Sequence, residues 1–298
     1  VGTTLHRLIL SKQDDGRPVV MEQETIAGDA ETAIFQPEYS PDGRYLSYIS
    51  DESGYGHIYF YDLALEATTQ ITSGAVEHII PAWIQGLRTY GWASDGQALY
   101  YIRHQEAFYS MWSYDVSHQT SLPVGEFSGY THLEQISVAA GSENLAVIAS
   151  ASKTPVRLLH FSQQAGLRIV RRTTNESIPD DYLASAQPLR WTGHDGETAH
   201  GLYYAPTNPN YEGVGKPPLM VLVHGGPTSQ RPARYDDEVQ FFTSRGYAVL
   251  QVNHRGSTGY GRVYMDKHEG NWNRYFACIC LTIQIHFRPW SPVWSNSM

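Results

Sequence analysis

Pro218-Leu219-Met220-Val221-Leu222-Val223 runs without a polar residue into His224-Gly225-Gly226-Pro227. An apolar run of about six residues, rich in Val and Leu, reads as a buried parallel strand. The two glycines at its carboxyl end carry no Cβ, so a ligand can approach the backbone closely there. A backbone N–H in such a turn can face an oxygen that develops negative charge. Gly226 is the candidate donor, and Gly225 and His224 are the residues that shape the turn.

Downstream, Asp236 and Asp237 open a helical stretch, Glu238 to Arg245, closed by Gly246. Acids in the first turn, Arg in the last and Gly just beyond are helix-end signals. Tyr247-Ala248-Val249-Leu250-Gln251-Val252-Asn253 reads as the next strand. Strand, helix and strand in succession predict a βαβ unit, hence parallel pairing. Upstream, Pro188–Trp191 and Thr198–Tyr204 read as a hairpin around His194-Asp195-Gly196, followed by a Pro/Gly/Asn-rich loop up to Pro218.

Residues 1 to 180 have another character. Ser40-Pro41-Asp42-Gly43 is a turn, because Pro presets φ and Gly supplies a positive φ. An alternating strand, Tyr45 to Ser50, follows it, and then a second, His57 to Leu63. The pattern returns at Ala93-Ser94-Asp95-Gly96 with strands from Ala98 and Ser110. It returns more weakly at Gly141-Ser142-Glu143-Asn144, with strands from Leu145 and Val156. A period of about 45 to 55 residues suits four-stranded propeller blades. About three blades are expected in 1–180, fewer than the roughly 4 to 8 that close a propeller. A sandwich of hairpins is the competing reading of the same repeats.

The expected architecture is therefore a partial β-propeller, followed by the N-terminal part of an α/β-hydrolase domain over 181–272. The segment 273–298 reads as an aberrant tail. It has no Gly, Asp or Glu, and it holds both cysteines, Cys278 and Cys280. With no cysteine before it, a disulfide framework is excluded for the main body, and a cytoplasmic protein is expected. The chain begins at Val1, so the lack of a signal peptide carries no weight. Hydrophobic content of 41% and charged content of 17% are those of a globular protein. A net charge of −9 argues against nucleic acid as a partner. The apolar stretch Tyr275–Phe287 is too short to span a bilayer, so no membrane partner is expected. The 13 histidines are scattered, with no H-E-x-x-H and no C-x-x-C, so no metal or cofactor is expected.

α/β-Hydrolases place one arm of the oxyanion hole at a strand end of this kind and the nucleophile on a downstream G-x-S-x-G elbow. Neither Ser128 nor Ser257 has that spacing, and no other Ser does. Nucleophile, acid and base are thus expected to be absent from these 298 residues.

Three segments together resemble the prolyl oligopeptidase family, with its acylaminoacyl-peptidase and dipeptidyl-aminopeptidase-like branch as the closer match. They are Leu222–Pro227, Phe242–Val249 and Asn253-His254-Arg255-Gly256-Ser257-Thr258-Gly259-Tyr260-Gly261, with Gly270-Asn271-Trp272 beyond. The resemblance implies a serine peptidase whose propeller lids the active site and admits short peptides, with an oxyanion hole using the Gly226 N–H. A homo-oligomer is compatible with it. The family usually has Tyr where His254 stands, and this chain departs from the family after Trp272. The chain alone is expected to be inactive and to fold poorly, from two parallel strands with exposed edges and an unclosed propeller. A non-enzymatic propeller that binds peptides or proteins is the alternative, and a carboxylesterase-like hydrolase a lesser one. Among single residues, Arg255 is expected to brace loops beside the site and His254 to be a lone strand-end histidine. Asp180 and Asp181, adjacent carboxylates that would point apart on a strand, are expected to form a solvated linker.

Overall fold

The computed structural model describes residues 2–81, 86–175, 177–193, 195–226 and 228–267. Residues 273–298, read above as an aberrant tail, with both cysteines, and Gly270-Asn271-Trp272, His194 and Pro227 lie outside them. A two-stranded hairpin, β1 (Thr4–Lys12) and β2 (Pro18–Gly28), leads the chain. Three four-stranded antiparallel sheets follow, each in simple up-and-down order. The first is β3 (Ile34–Tyr39), β4 (Tyr45–Ser50), β5 (His57–Asp62) and β6 (Ala67–Gln70). The second is β7 (Tyr90–Trp92), β8 (Ala98–Gln105), β9 (Phe108–Asp115) and β10 (Thr120–Pro123). The third is β11 (His132–Val138), β12 (Leu145–Ala151), β13 (Thr154–Ser162) and β14 (Gly166–Arg172).

The repeated turns work as their residues predict. Gly43, Gly96 and Gly141 have φ of 71, 71 and 75°, a conformation that only glycine adopts without strain. Gly43 N–H and Gly96 N–H each close their turn on a carbonyl three residues back, Ser40 and Ala93, at 2.9 Å. Apolar faces of successive sheets pack on one another. Ile49, Ile58 and Phe60 of the first meet Tyr90, Trp92 and Leu99 of the second. Ile102 and Met111 of the second meet Leu133, Val147 and Leu159 of the third.

Polar side chains add a join that the repeat pattern does not announce. Gln36 and Gln135 sit at irregularities in β3 and β11 with φ of 48 and 57°. Gln36 Oε1 accepts from Thr89 N and Gln135 Oε1 from Arg88 N, both at 2.8 Å. The lead-in to β7 is thereby gripped from both neighbouring sheets.

The last sheet is mixed: β15 (Gln187–Thr192), β16 (Thr198–Tyr204), β18 (Ala248–Asn253), β17 (Leu219–Val223), in that order. β17 and β18 pair in parallel, with Val223 opposite Val252, and α1 (Asp237–Thr243) connects them. The βαβ unit and the β15–β16 hairpin expected from the sequence are both present. Among the described residues only one of the two parallel strands leaves an edge, because β16 covers the far side of β18 in antiparallel register. A short helix, α2 (Arg262–Asp266), ends the described chain. Asp180 and Asp181 lie exposed in a 3-10 turn, Asp180–Tyr182, and not on a strand. Among the described residues no helix is long and apolar enough to cross a membrane.

Candidate active site

β17 carries its apolar side chains as far as Val223. The chain then exposes two glycines, Gly225 and Gly226, directly after a buried His224. His224 Nδ1 lies 2.8 Å from the Gly225 carbonyl oxygen, which can only accept, so Nδ1 carries the proton. Nε2 is left as an acceptor for the Ser257 hydroxyl, 2.7 Å away. Burial lowers the His224 pKa to about 4, opposed by its bond to Gly225 and reinforced by nearby His254 and Arg231. The ring is therefore neutral at pH 7.

A serine and a histidine at this distance resemble a nucleophile and its base. Burial rejects that reading. Ser257 is 0% exposed and its N–H is bound to the His254 carbonyl at 2.8 Å, so no substrate carbonyl reaches its Oγ. His254 is not a lone histidine either. Its ring stacks on His224 at 4.5 Å and 22°, and its Nδ1 donates to the Arg255 carbonyl at 2.8 Å.

Arg255 engages the neighbouring hairpin. Its side chain, 5% exposed, reaches Asp195 Oδ2 at 2.5 Å and Glu197 Oε2 at 3.3 Å, and so braces the β15–β16 turn. Lys267 Nζ reaches the same Glu197 oxygen at 2.5 Å. Loop bracing is the role its sequence position suggests.

Residues 228–234 leave the glycine turn under firm hold. Asn253, fully buried at the end of β18, accepts from Arg231 N at 2.7 Å and donates to Arg231 O at 3.0 Å. The N–H of Ala233 donates to Ala107 O at 2.8 Å, and Thr131 Oγ1 donates to Ala233 O at 2.5 Å. The loop thus lies against the second and third sheets.

Between them is a cavity of about 310 Å³, lined by Thr228, Ser229, Gln230 and Arg234 on one side and His104, Tyr109 and His132 on the other. Tyr109 lies between the two histidine rings, tilted against each at 4.7 and 4.9 Å, and donates to Gln230 Oε1 at 3.0 Å. Burial holds both histidines near pKa 4, so the wall carries no histidine charge at neutral pH.

A buried glutamate forms a second join between the sheets and the last domain. Glu77 accepts from Gly56 N at 2.7 Å and from Gly261 N, at the start of α2, at 2.9 Å. Burial pushes its pKa up to about 7 against the pull of those two N–H groups. Among the described residues no group of three His, Cys, Asp or Glu side chains could hold a metal ion.

Glu77 carries no motif that sequence reading can isolate, and Asn253 and Ser257 were read only as members of the segment Asn253–Gly261. Ser257 was visible inside Gly256-Ser257-Thr258-Gly259 but fits no nucleophile pattern, and its partner lies 33 residues upstream.

The comparisons with known proteins fall in line with this architecture. The crystal structure of puromycin hydrolase superposes with a TM-score of 0.80 at 27% identity, over 95% of this chain and 42% of that one. Its class, a propeller-plus-hydrolase protein, is the one that the sheets and the βαβ unit define. The prolyl oligopeptidase family matches residues 233–277. Dipeptidyl aminopeptidase BIII of Pseudoxanthomonas mexicana is 30% identical over 130 residues, 42% of this chain and 19% of that protein. Acylamino-acid-releasing enzyme 1 of Oryza sativa subsp. japonica is 41% identical over 54 residues, 18% of this chain and 7% of that protein. The resemblance read from the sequence holds: the chain is related to the prolyl oligopeptidase family, with dipeptidyl- and acylamino-acid peptidase relatives. It spans a minor part of each relative's length.

Proposed function

We propose that this chain carries the propeller side and one oxyanion arm of a serine peptidase that cleaves short peptides. The observation that carries this reading is the exposed Gly225-Gly226 turn at the carboxyl end of β17, with Thr228 and Ser229 just beyond it in the cavity wall. A backbone N–H held there can stabilise the negative oxygen of a tetrahedral intermediate. The three four-stranded sheets are three propeller blades in this reading, and the cavity between them and residues 228–234 is the substrate chamber. Its size suits an aminoacyl or dipeptidyl group and not a folded protein.

Gly226 N–H is the donor, Gly225 and His224 shape the turn, and Arg255 supports the neighbouring hairpin. The G-x-S-x-G elbow does not occur in these 298 residues, so the nucleophile, acid and base come from elsewhere in the full-length protein. The mechanism is Ser attack, His general base and backbone stabilisation of the oxyanion. In the full-length protein carrying this chain, hydrolysis of puromycin and of dipeptidyl naphthylamides is the expected activity. The 298-residue chain by itself is expected to take no label from a serine-directed fluorophosphonate. Labelling of that chain, or a full-length protein inert on both substrate types, refutes the proposal.

A further inference from the structure

We propose that strand β14, the free edge of the third sheet, is a docking site for an acidic, extended segment of a partner protein, taken up as an added strand.

Among the described residues, the last strand of each four-stranded antiparallel sheet is paired on one side only. Such an edge presents a row of unpaired N–H and C=O groups, and a short strand or a proline blunts it. Two of these edges are blunted in that way. β6 has 4 residues, and β10 has 4 and ends on Pro123. β14 has 7 residues and no proline, and Arg168 to Arg172 are all exposed. Ile169, 38% exposed, and Val170, 51% exposed, lie open along it. A long edge with open aliphatic side chains is a template for one more strand.

Charge specifies which strand. The chain has a net charge of −9, yet residues 144–175 contain no Asp or Glu and hold Lys153, Arg157, Arg168, Arg171 and Arg172. Arg157 stands directly opposite Arg172 in the β13–β14 register. Like charges so placed are destabilising. The side-chain bonds of the cluster do not offset them. Arg157 donates to the Tyr130 hydroxyl at 3.4 Å, Arg168 to His160 Nδ1 at 3.1 Å and Lys153 to the Asp180 carbonyl at 2.9 Å, and none of these acceptors is a carboxylate. An added strand with carboxylates along it satisfies the open main chain and the cations together. Charges on an edge also serve to turn stray strands away. That use needs no single sign and no Arg opposite an Arg, and it refuses every strand, whereas a docking edge selects the acidic one. A lipid surface shares the negative charge but offers no main chain to the edge.

Fluorescence anisotropy on the full-length protein tests this, with a labelled peptide of alternating valine and glutamate as the probe. One control is the lysine counterpart of that peptide. The other is the acidic peptide N-methylated at every residue, which keeps its charge and loses its main-chain donors. The acidic probe is expected to bind at least about tenfold more tightly than either control, and less tightly as salt rises. In Arg168→Glu/Arg171→Glu/Arg172→Glu its binding is expected to fall at least about tenfold, with the melting temperature retained because all three positions are exposed. Arg172→Glu alone gives Arg157 a counter-charge, so it is expected to raise the melting temperature and to weaken the probe. An acidic probe that does not bind, or binds no better than its lysine counterpart, overturns the proposal. Undiminished binding of the N-methylated peptide, or of the acidic probe to the triple variant, overturns it too. So does binding to phosphatidylserine vesicles with none to the peptide, which makes the edge a lipid-facing surface.

Discussion

Asn253 satisfies both backbone groups of Arg231 with one amide and donates also to Tyr260 Oη at 2.9 Å. Removing it leaves a buried donor and acceptor without partners, at a cost of about 1–3 kcal/mol. Asn253→Ala is therefore expected to lower the unfolding free energy by that amount, read from denaturant titration, and Ser244→Ala, at the helix end, by far less. At this scale the turn itself was legible, because two glycines directly after an apolar run mark where a strand ends. Arg255 was legible as a brace, whereas its partners Asp195 and Glu197 were not. Ser257 and Asn253 stood in a segment that carries the family resemblance, but what they bond to was not legible. Their partners lie 33 and 22 residues away in sequence, and only the parallel pairing of β17 and β18 brings the strand ends together.

The helix α1 shows which features survive from sequence to element. Asp236, just before it, accepts from Glu238 N at 3.0 Å and Val239 N at 3.3 Å. Such a cap is worth about 0.5–2 kcal/mol. Asp236→Ala is expected to destabilise by that much, while Asp236→Ser, which keeps the cap oxygen, loses less; thermal unfolding of the two variants decides it. The strands that follow the Pro/Asp/Gly turns were legible, since turn chemistry and alternation agree there. The β1–β2 hairpin was not. Leu8, Ile9 and Leu10 are consecutive and all exposed, so no alternation marks a buried face. The irregularities at Gln36 and Gln135 were hidden for another reason: their amides bond to a neighbouring sheet, and local sequence carries no sign of that.

Across the whole molecule, buried titratable groups dictate how stability follows pH. Burial holds His104, His132, His200 and His224 near 4, against 6.5 for an ordinary histidine. As pH falls, the unfolded chain takes these protons first, so stability is lost between about 6.5 and 4. Glu77 acts in the opposite sense. Its pKa in the fold, about 7, lies above the ordinary 4.5, so its contribution is full below 4.5 and is lost as pH rises through 7. Four histidines outweigh one glutamate, and the melting temperature is expected to be higher at pH 7 than at pH 5. Glu77→Gln removes the opposing slope and should widen that difference; a narrower one contradicts the role given to Glu77. The order of propeller repeats before a βαβ unit was legible from turn chemistry and apolar runs. The packing of the two parts was not, because Glu77 reaches Gly261 across 184 residues. The central claim is that the turn after β17 supplies an oxyanion donor, and one substitution removes that donor while leaving every side chain in place. In the full-length protein, Gly226→Pro deletes the N–H, with Gly226→Ala as the control that keeps it. The account predicts a kcat on a dipeptidyl naphthylamide about 10²- to 10³-fold lower for the proline variant, with KM little changed. A proline variant with the kcat of the alanine control contradicts it.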